Sequence, residues 1–190
     1  MKGIAVFVSG KGTNAAAVID HFAGGEVARV KVVVCNRRDA GAHSLLASRG
    51  VPIVDISSAA LADREAMEAI LEGVDVIALA GFLAFVPDWL TARYGGRILN
   101  IHPSLLPRHG GRGMYGLRVH RAVIESGEQE SGITIHLVDG KYDSGEILFQ
   151  AKCPVLPGDT VETLAQRVHE LEYKYYPQII EQLIRDEADS

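Results

Sequence analysis

The sequence predicts an α/β fold in which a doubly wound, mostly parallel sheet carries an antiparallel addition at its C-terminal end. Short β-branched segments alternate with amphipathic helical segments along the N-terminal half. Apart from Asp75, residues 74–80 are apolar, as in strands that are buried on both faces. Two further strand-like segments flank the short loop 139–145. Such alternation produces right-handed βαβ units, whose sheets bind ligands at the carboxyl ends of their strands.

The element boundaries follow from hydrophobic periodicity and from glycine, proline and capping residues. Strands are predicted at residues 2–8, 27–35, 51–56, 74–80, 97–102, 131–138 and 146–155. Helices are predicted at residues 15–22, 41–49, 61–71, 88–94, 119–126 and 160–187. Pro177 is expected to kink or split the last helix.

Length and composition limit the kind of protein. A chain of 190 residues with 47% hydrophobic content predicts one core and a single domain spanning residues 1–190. The net charge of −5, without a basic block, argues against nucleic acid or an anionic membrane surface as a partner. The chain also lacks a bilayer-length apolar stretch and a signal peptide, so a cytoplasmic location is expected.

The two cysteines point to a reducing compartment. Cys35 and Cys153 each lie inside an apolar strand segment, where thiols are usually buried. We expect neither a disulfide nor a cysteine metal site. The seven histidines likewise show no spacing that builds a metal site around His102.

The first strand and the first helix are joined by Ser9-Gly10-Lys11-Gly12-Thr13-Asn14. Helix N-termini present unpaired N–H groups, and the two glycines let the backbone close around an anion, so a phosphate site is predicted at Gly12, Thr13 and Asn14. The loop has neither the Walker pattern nor the dinucleotide fingerprint. A tight turn without a ligand remains the alternative.

Asn100 and His102 are spaced two residues apart in a strand that Pro103 ends, so their side chains leave the same face. An amide donor can stabilise an oxyanion, and an imidazole can exchange a proton near neutral pH. Acyl transfer requires both oxyanion stabilisation and proton transfer. The alternative is a capped strand end with a buried core histidine.

Three loops are expected near these residues. The apolar loop 81–87 suggests a floor for a flat ring system, or else a hydrophobic cluster that caps the following helix. Residues 108–116 contain four glycines and are expected to be mobile. The acidic loop 139–145 can bring Asp143 back over His102.

The chain resembles the phosphoribosylglycinamide formyltransferases, a family of formyl-folate enzymes. The resemblance rests on the 9–14 loop, on Ala80-Gly81-Phe82, on Asn100-Ile101-His102-Pro103-Ser104-Leu105-Leu106-Pro107 and on Asp143-Ser144-Gly145, which occur in the family's order. It implies a formyltransferase-like variant of the Rossmann fold. It also implies transfer of a formyl group from 10-formyltetrahydrofolate to the amine of glycinamide ribonucleotide.

The resemblance also assigns residues. The catalytic set would be Asn100, His102 and Asp143, and the phosphate ligands Gly12, Thr13 and Asn14. Glu172 and His169 would face the glycinamide substrate. The folate contacts would be Arg64, Leu83, Ala84, Phe85, Val86, Asn100, Asp139, Gly140, Lys141 and Tyr142. Through its negative charge, Asp143 is expected to raise the pKa of His102.

This chain departs from the family pattern at three places. Ala84 stands where relatives carry arginine, and His169 stands where relatives carry glutamine or lysine. The 110–116 loop is longer than in the best-known members and resembles one variant branch. The implied partners are small molecules only, with formyl-folate as a co-substrate, no tightly bound cofactor, and a monomer or weak homodimer.

Other functions are expected to look different. A methionyl-tRNA formyltransferase would need an additional C-terminal domain, and a formyl-folate hydrolase an N-terminal one. A nucleotide-binding protein without catalysis would not need Asn100, His102 and Asp143 to converge. A dinucleotide-dependent oxidoreductase would need the glycine fingerprint that this chain lacks.

Overall fold

The computed structural model describes residues 1–188, so residues 189 and 190 of the predicted domain lie outside the described residues. Seven strands within this range form one sheet in the order β3-β2-β1-β4-β5-β6-β7. They are β1 (Lys2–Val8), β2 (Ala28–Cys35), β3 (Ile53–Asp55), β4 (Val76–Leu79), β5 (Ile98–His102), β6 (Glu130–Leu137) and β7 (Ile147–Pro154). The pairs among β1 to β5 are parallel, whereas β5–β6 and β6–β7 are antiparallel. The predicted fold class is confirmed.

Helices cover both faces of the sheet. They are α1 (Thr13–Phe22), α2 (Ala42–Leu46, continued by a 3-10 turn at Ala47–Arg49), α3 (Ser58–Ala62), α4 (Arg64–Ile70), α5 (Asp88–Arg93), α6 (Leu117–Glu125) and α7 (Val161–Ala188). Buried side chains of α1, α2, α6 and α7 share one core with one face of the sheet. Those of α3, α4 and α5 form a second core on the opposite face.

The single helix predicted at residues 61–71 is wrong, because α3 and α4 are separate helices that meet at Asp63. Asp63 adopts an extended backbone with φ −79° and ψ 107°, and its carboxylate accepts a hydrogen bond from the Ala66 N–H. An aspartate in this position satisfies an orphan N–H of the next helix. The local capping signal therefore outweighs the hydrophobic repeat that runs across it.

Of the two outcomes expected at Pro177, the split is wrong, because α7 runs without interruption for 28 residues, and the kink stays a prediction. Tyr176 and Ile180 are fully buried on either side of the proline. The Tyr176 hydroxyl lies 2.9 Å from the Leu79 carbonyl oxygen and 3.0 Å from that of Leu99, at the ends of β4 and β5. Tertiary packing thus holds both halves of the helix to the sheet. Within residues 1–188, neither α7 nor any other helix is long and apolar enough to cross a membrane.

Candidate active site

A cavity of about 830 Å³ opens where β1, β4 and β5 end. The loops that follow these strands line it, together with residues 111–118, residues 140–143 and two side chains of α7. This is the edge at which parallel α/β sheets bind ligands, and the volume suits small molecules. Five basic side chains and two carboxylates line the cavity: Lys11, Arg37, Arg112, Arg118 and Lys141, with Asp143 and Glu172. Its rim is therefore basic although the whole chain is acidic.

One end of the cavity is formed by the N-terminus of α1. Gly12 precedes the helix with φ 78°, and a Cβ there would lie 2.9 Å from the Ala42 Cβ, so only glycine fits this turn. Thr13 and Asn14 form the first turn, and both line the cavity. The unpaired N–H groups of this turn and the helix dipole make the end suitable for an anion.

Beside this helix end, a buried carboxylate joins two further side chains. Glu172 Oε2 accepts hydrogen bonds from Asn14 Nδ2 at 2.9 Å and from His169 Nδ1 at 2.8 Å. The hydrogen bond to Glu172 raises the pKa of His169 above its usual value. The buried Oδ1 of Asn14 has no hydrogen-bond partner among the described residues. An orphaned acceptor at a cavity wall marks a place for a ligand N–H group.

Asn100, His102 and Asp143 meet at the end of β5. Asp143 Oδ2 lies 3.4 Å from His102 Nδ1, and Asp143 Oδ1 lies 3.4 Å from Asn100 Nδ2. His102 Nε2 lies 2.8 Å from the carbonyl oxygen of His109, which can only accept, so Nε2 carries a hydrogen. Both imidazole nitrogens therefore have partners within the protein.

A fourth side chain, His136, orients the amide of Asn100. The two residues are directly paired across β5 and β6, and Asn100 Nδ2 lies 3.0 Å from His136 Nε2. His136 Nδ1 donates to the Leu137 carbonyl oxygen at 2.8 Å, so its Nε2 accepts from the amide when the ring is neutral. The amide nitrogen of Asn100 is thus held on the side of Asp143.

The backbone around these groups is unusual. Asp143 has φ 52° and His109 has φ 56°, in the left-handed region that non-glycine residues seldom adopt. Asp143 Oδ2 also accepts a hydrogen bond of 2.8 Å from the Gly111 N–H. Loop 108–116 therefore contacts both the carboxylate and the imidazole. Such conformations concentrate at functional sites.

The predicted rise in the pKa of His102 is wrong. Burial lowers the pKa below its usual value, and the opposing charge of Asp143 does not compensate. For Asp143, burial acts in the upward direction, but the neighbouring imidazoles of His136 and His102 and the hydrogen bond from the Gly111 N–H leave the pKa lowered overall. The site therefore combines an ionised carboxylate with an imidazole that favours its neutral form.

The Formyl transferase family model matches residues 2–180. The chain belongs to this family. Phosphoribosylglycinamide formyltransferase of Haemophilus influenzae is 37% identical over 95% of this chain and 86% of that protein. The chloroplastic phosphoribosylglycinamide formyltransferase of Arabidopsis thaliana is 41% identical over 94% of this chain, which spans 64% of its length. Glycinamide ribonucleotide transformylase 1 from Symbiobacterium toebii superposes with a TM-score of 0.87 at 37% identity, covering 98% of this chain and 89% of that one.

Most of the residues assigned to folate line the cavity. They are Leu83, Ala84, Phe85, Val86, Asn100, Gly140, Lys141 and Tyr142. Arg64 instead begins α4, where it is exposed and pairs with Glu68 at 2.9 Å. Asp139 organises its own loop by accepting hydrogen bonds from the Lys141 N–H and the Ser144 hydroxyl. Neither side chain lines the cavity, and their folate contacts stay predictions.

The apolar loop after β4 fits both interpretations of its sequence. Phe82 and Val86 are buried in the core under α5. Leu83 and Phe85 are 40% and 45% exposed and line the cavity. The rings of Phe85 and Tyr142 lie 5.4 Å apart, edge to face. The loop thus supports a helix from one side and offers an apolar wall from the other.

Sequence reasoning missed His120 and His136. His120, in α6, lines the cavity and is only 1% exposed, and its Nδ1 has no hydrogen-bond partner among the described residues. Burial lowers the pKa of His120 to about 4. A histidine on the buried stripe of a predicted helix is one sequence signal for such a residue. The contact between His136 and Asn100 could not be predicted from the sequence, because it depends on the register between β5 and β6.

We expect the buried neutral His120 to make stability depend on pH. Because its folded-state pKa is below the unfolded value near 6.5, its contribution is complete above pH 6.5 and is lost as the pH falls towards 4. Between pH 7 and pH 5, the free energy of unfolding should fall by about 2 kcal/mol more in the wild type than in His120→Asn. Urea unfolding at both pH values measures this difference. Equal pH dependence in the two proteins would contradict it.

Proposed function

We propose that the chain transfers the formyl group of 10-formyltetrahydrofolate to the amine of 5'-phosphoribosylglycinamide. The products are formylglycinamide ribonucleotide and tetrahydrofolate, in de novo purine biosynthesis. The observation that carries this proposal is the carboxylate of Asp143 placed between the amide of Asn100 and the imidazole of His102 on a cavity wall. The names of the relatives at 37–41% identity support the choice of substrates.

The nucleotide would occupy the end of the cavity beside α1. Its phosphate would accept hydrogen bonds from the N–H groups of Gly12, Thr13 and Asn14 and from the side chains of Thr13 and Asn14. Glu172 and His169 lie next to Asn14 and would face the sugar and glycinamide groups. The unpartnered atoms Asn14 Oδ1 and His120 Nδ1 would then gain partners from the substrate.

The formyl-folate would occupy the end of the cavity that is formed by the apolar loop 81–87. Its pteridine would lie against Leu83 and Phe85, whose exposed side chains would otherwise contact water. Lys141 and Tyr142 would close over it from the loop before β7. The rings of Phe85 and Tyr142 are already in contact, so this loop and the apolar wall meet at one side of the cavity.

The transfer requires one new bond, one broken bond and one proton relocation. The amine nitrogen attacks the formyl carbon, and the carbonyl electrons form an oxyanion, to which Asn100 Nδ2 donates. Since the 3.4 Å contact from this amide to Asp143 is longer than the contact to His136, it is the one exchanged for the oxyanion. A preorganised donor of this kind is worth about 3 kcal/mol in the barrier.

His102 would move the proton. When Nε2 leaves the His109 carbonyl oxygen, the neutral ring would hold its hydrogen on Nδ1, toward Asp143 Oδ2. Nε2 can then accept the proton that the amine loses, and the charge of Asp143 stabilises the resulting imidazolium. The imidazolium then protonates N10 of the folate as the carbon–nitrogen bond breaks and N10 takes the electron pair. To reach the substrate, Nε2 must exchange its hydrogen bond to the His109 carbonyl oxygen for one to the substrate. Loop 108–116, which carries His109, therefore has to move.

Several further features belong to this proposal. We take residues 1–190 to act as one formyltransferase domain, as a monomer or weak homodimer, with small molecules as its partners. Formyl-folate acts as a co-substrate, and no tightly bound cofactor takes part in the transfer. The buried free thiols of Cys35 and Cys153 fit the reducing environment of the cytoplasm.

The proposal is tested by incubating the purified chain with 10-formyltetrahydrofolate labelled with carbon-13 in the formyl group. With glycinamide ribonucleotide present, we expect one labelled formyl group per nucleotide, detected by mass spectrometry, and an equal amount of tetrahydrofolate. Without nucleotide, folate consumption should be negligible. Nucleotide binding without any label transfer would instead support the non-catalytic binding protein.

A further inference from the structure

A second cluster of chemically reactive side chains lies outside the cavity, at the carboxyl ends of β2 and β3. Cys35 ends β2 and pairs in register with Asp55, which ends β3. His43 is the second residue of α2, whose buried side chains pack on the same core as Cys35. One ligand atom from each of the three lies within 4.8 Å of the other two. None of them lines the cavity or takes part in the proposed transfer.

We propose that Cys35, His43 and Asp55 bind a divalent transition-metal ion of the zinc class, with water as the fourth ligand. Thiolate, imidazole and carboxylate are ligands that zinc takes in tetrahedral sites. With bonds of about 2.0–2.3 Å, ligand atoms on such an ion are about 3.3–3.7 Å apart. His43 Nε2 and Asp55 Oδ1, now 3.0 Å apart, would separate slightly, whereas the longer separations, of up to 4.8 Å, would close by about 1 Å around the ion.

The charges around the thiol favour a cation. The carboxylates of Asp55 and Asp39 place negative charge near the buried Cys35 thiol. A divalent ion would offset both carboxylates and stabilise the thiolate, with release of the thiol proton to water. Without an ion, the Cys35 Sγ–H donates to the Arg37 carbonyl oxygen at 3.2 Å.

The cluster is partly open to solvent. The side chains of His43 and Asp55 are 36% and 34% exposed, which provides an entry path, whereas Cys35 is fully buried. Helix α2, which carries His43, also contacts the loop 9–14, because the Ala42 N–H donates to the Gly10 carbonyl oxygen at 3.2 Å. A bound ion would therefore fix β2, β3 and α2 directly behind that loop. The sequence expectation of no cysteine metal site did not include this convergence, which depends on the β2–β3 register.

The test uses the full chain, freed of metal with a chelator that is then removed. Zinc is titrated calorimetrically, and cobalt is titrated while its absorption spectrum is recorded. We expect one equivalent to bind, a thiolate-to-cobalt charge-transfer band, and a higher melting temperature with zinc. Cys35→Ser should abolish the band and weaken zinc binding about tenfold or more. Cys153→Ser, which alters the other buried thiol, should behave like the wild type.

Asp55→Asn provides a second variant at an exposed position, for the case in which Cys35→Ser does not fold. It should keep the charge-transfer band and still weaken zinc binding about tenfold or more. The proposal is overturned if the wild type binds no zinc at micromolar concentrations. It is equally overturned if Cys35→Ser, or Asp55→Asn where the serine variant is unfolded, binds zinc as tightly as the wild type.

Discussion

Asp143→Asn is expected to lower kcat by about a hundredfold to ten-thousandfold, the range for loss of an acid–base partner. The amide can still accept the hydrogen bond from the Gly111 N–H, and asparagine tolerates the left-handed backbone at this position. The imidazolium of His102 would lose its counter-charge, which lies 3.4 Å away. The KM for the nucleotide should change little, because its phosphate binds elsewhere. Steady-state kinetics with both substrates measure the effect.

His102→Asn should cause a loss of similar size, because it removes the proton carrier itself. If the two side chains act as one unit, the double variant should be little worse than either single variant. Glu146→Gln is the control, because Glu146 is exposed and directly follows the loop 139–145 that carries Asp143. This variant should keep wild-type kcat. Wild-type formylation by either His102→Asn or Asp143→Asn would rule out the catalytic assignment.

Thr13→Ala and Asn14→Ala are expected to weaken nucleotide binding by about tenfold to a hundredfold each, the value of a hydrogen bond to a charged group. The affinity for a folate analogue should stay nearly unchanged, because both residues lie in the first turn of α1 and not at the apolar wall. Isothermal titration with each ligand separates the two affinities.

A substrate without phosphate provides the matched control for Thr13. The wild type and Thr13→Ala should bind glycinamide riboside with equal, weak affinity if the hydroxyl acts only on the phosphate. Asn14→Ala should weaken riboside binding as well, since Asn14 also positions Glu172 through a 2.9 Å hydrogen bond. An undiminished affinity of Thr13→Ala for the nucleotide would mean that the phosphate binds elsewhere.

Much of the fold follows from local patterns in the sequence. The apolar strands, the glycine turn before α1 and the antiparallel pair β6–β7 are all visible as periodicity and turn residues. The spacing of Asn100 and His102 likewise places both side chains on one strand face. The errors at Asp63 and Pro177 arise where a capping side chain or the packing of Tyr176 outweighs the helical repeat.

The assembly of the site is less visible from the sequence. Asp143 reaches His102 only through the lengths and register of β6 and β7, and His136 meets Asn100 only through the β5–β6 pairing. The direction of the His102 pKa shift depends on burial, which becomes known only once the surrounding loops are placed. Residue identity alone suggests the opposite direction, because a carboxylate partner raises the pKa of an imidazole.

A crystal structure with glycinamide ribonucleotide and a stable 10-formyltetrahydrofolate analogue bound tests the central claim most directly. The account predicts the formyl oxygen within about 3.2 Å of Asn100 Nδ2 and a His102 nitrogen within the same distance of N10 or the amine. It also predicts that the His109 carbonyl oxygen has left His102, while Asp143 stays beside it. A formyl group that contacts none of Asn100, His102 and Asp143 with both ligands in place would contradict it.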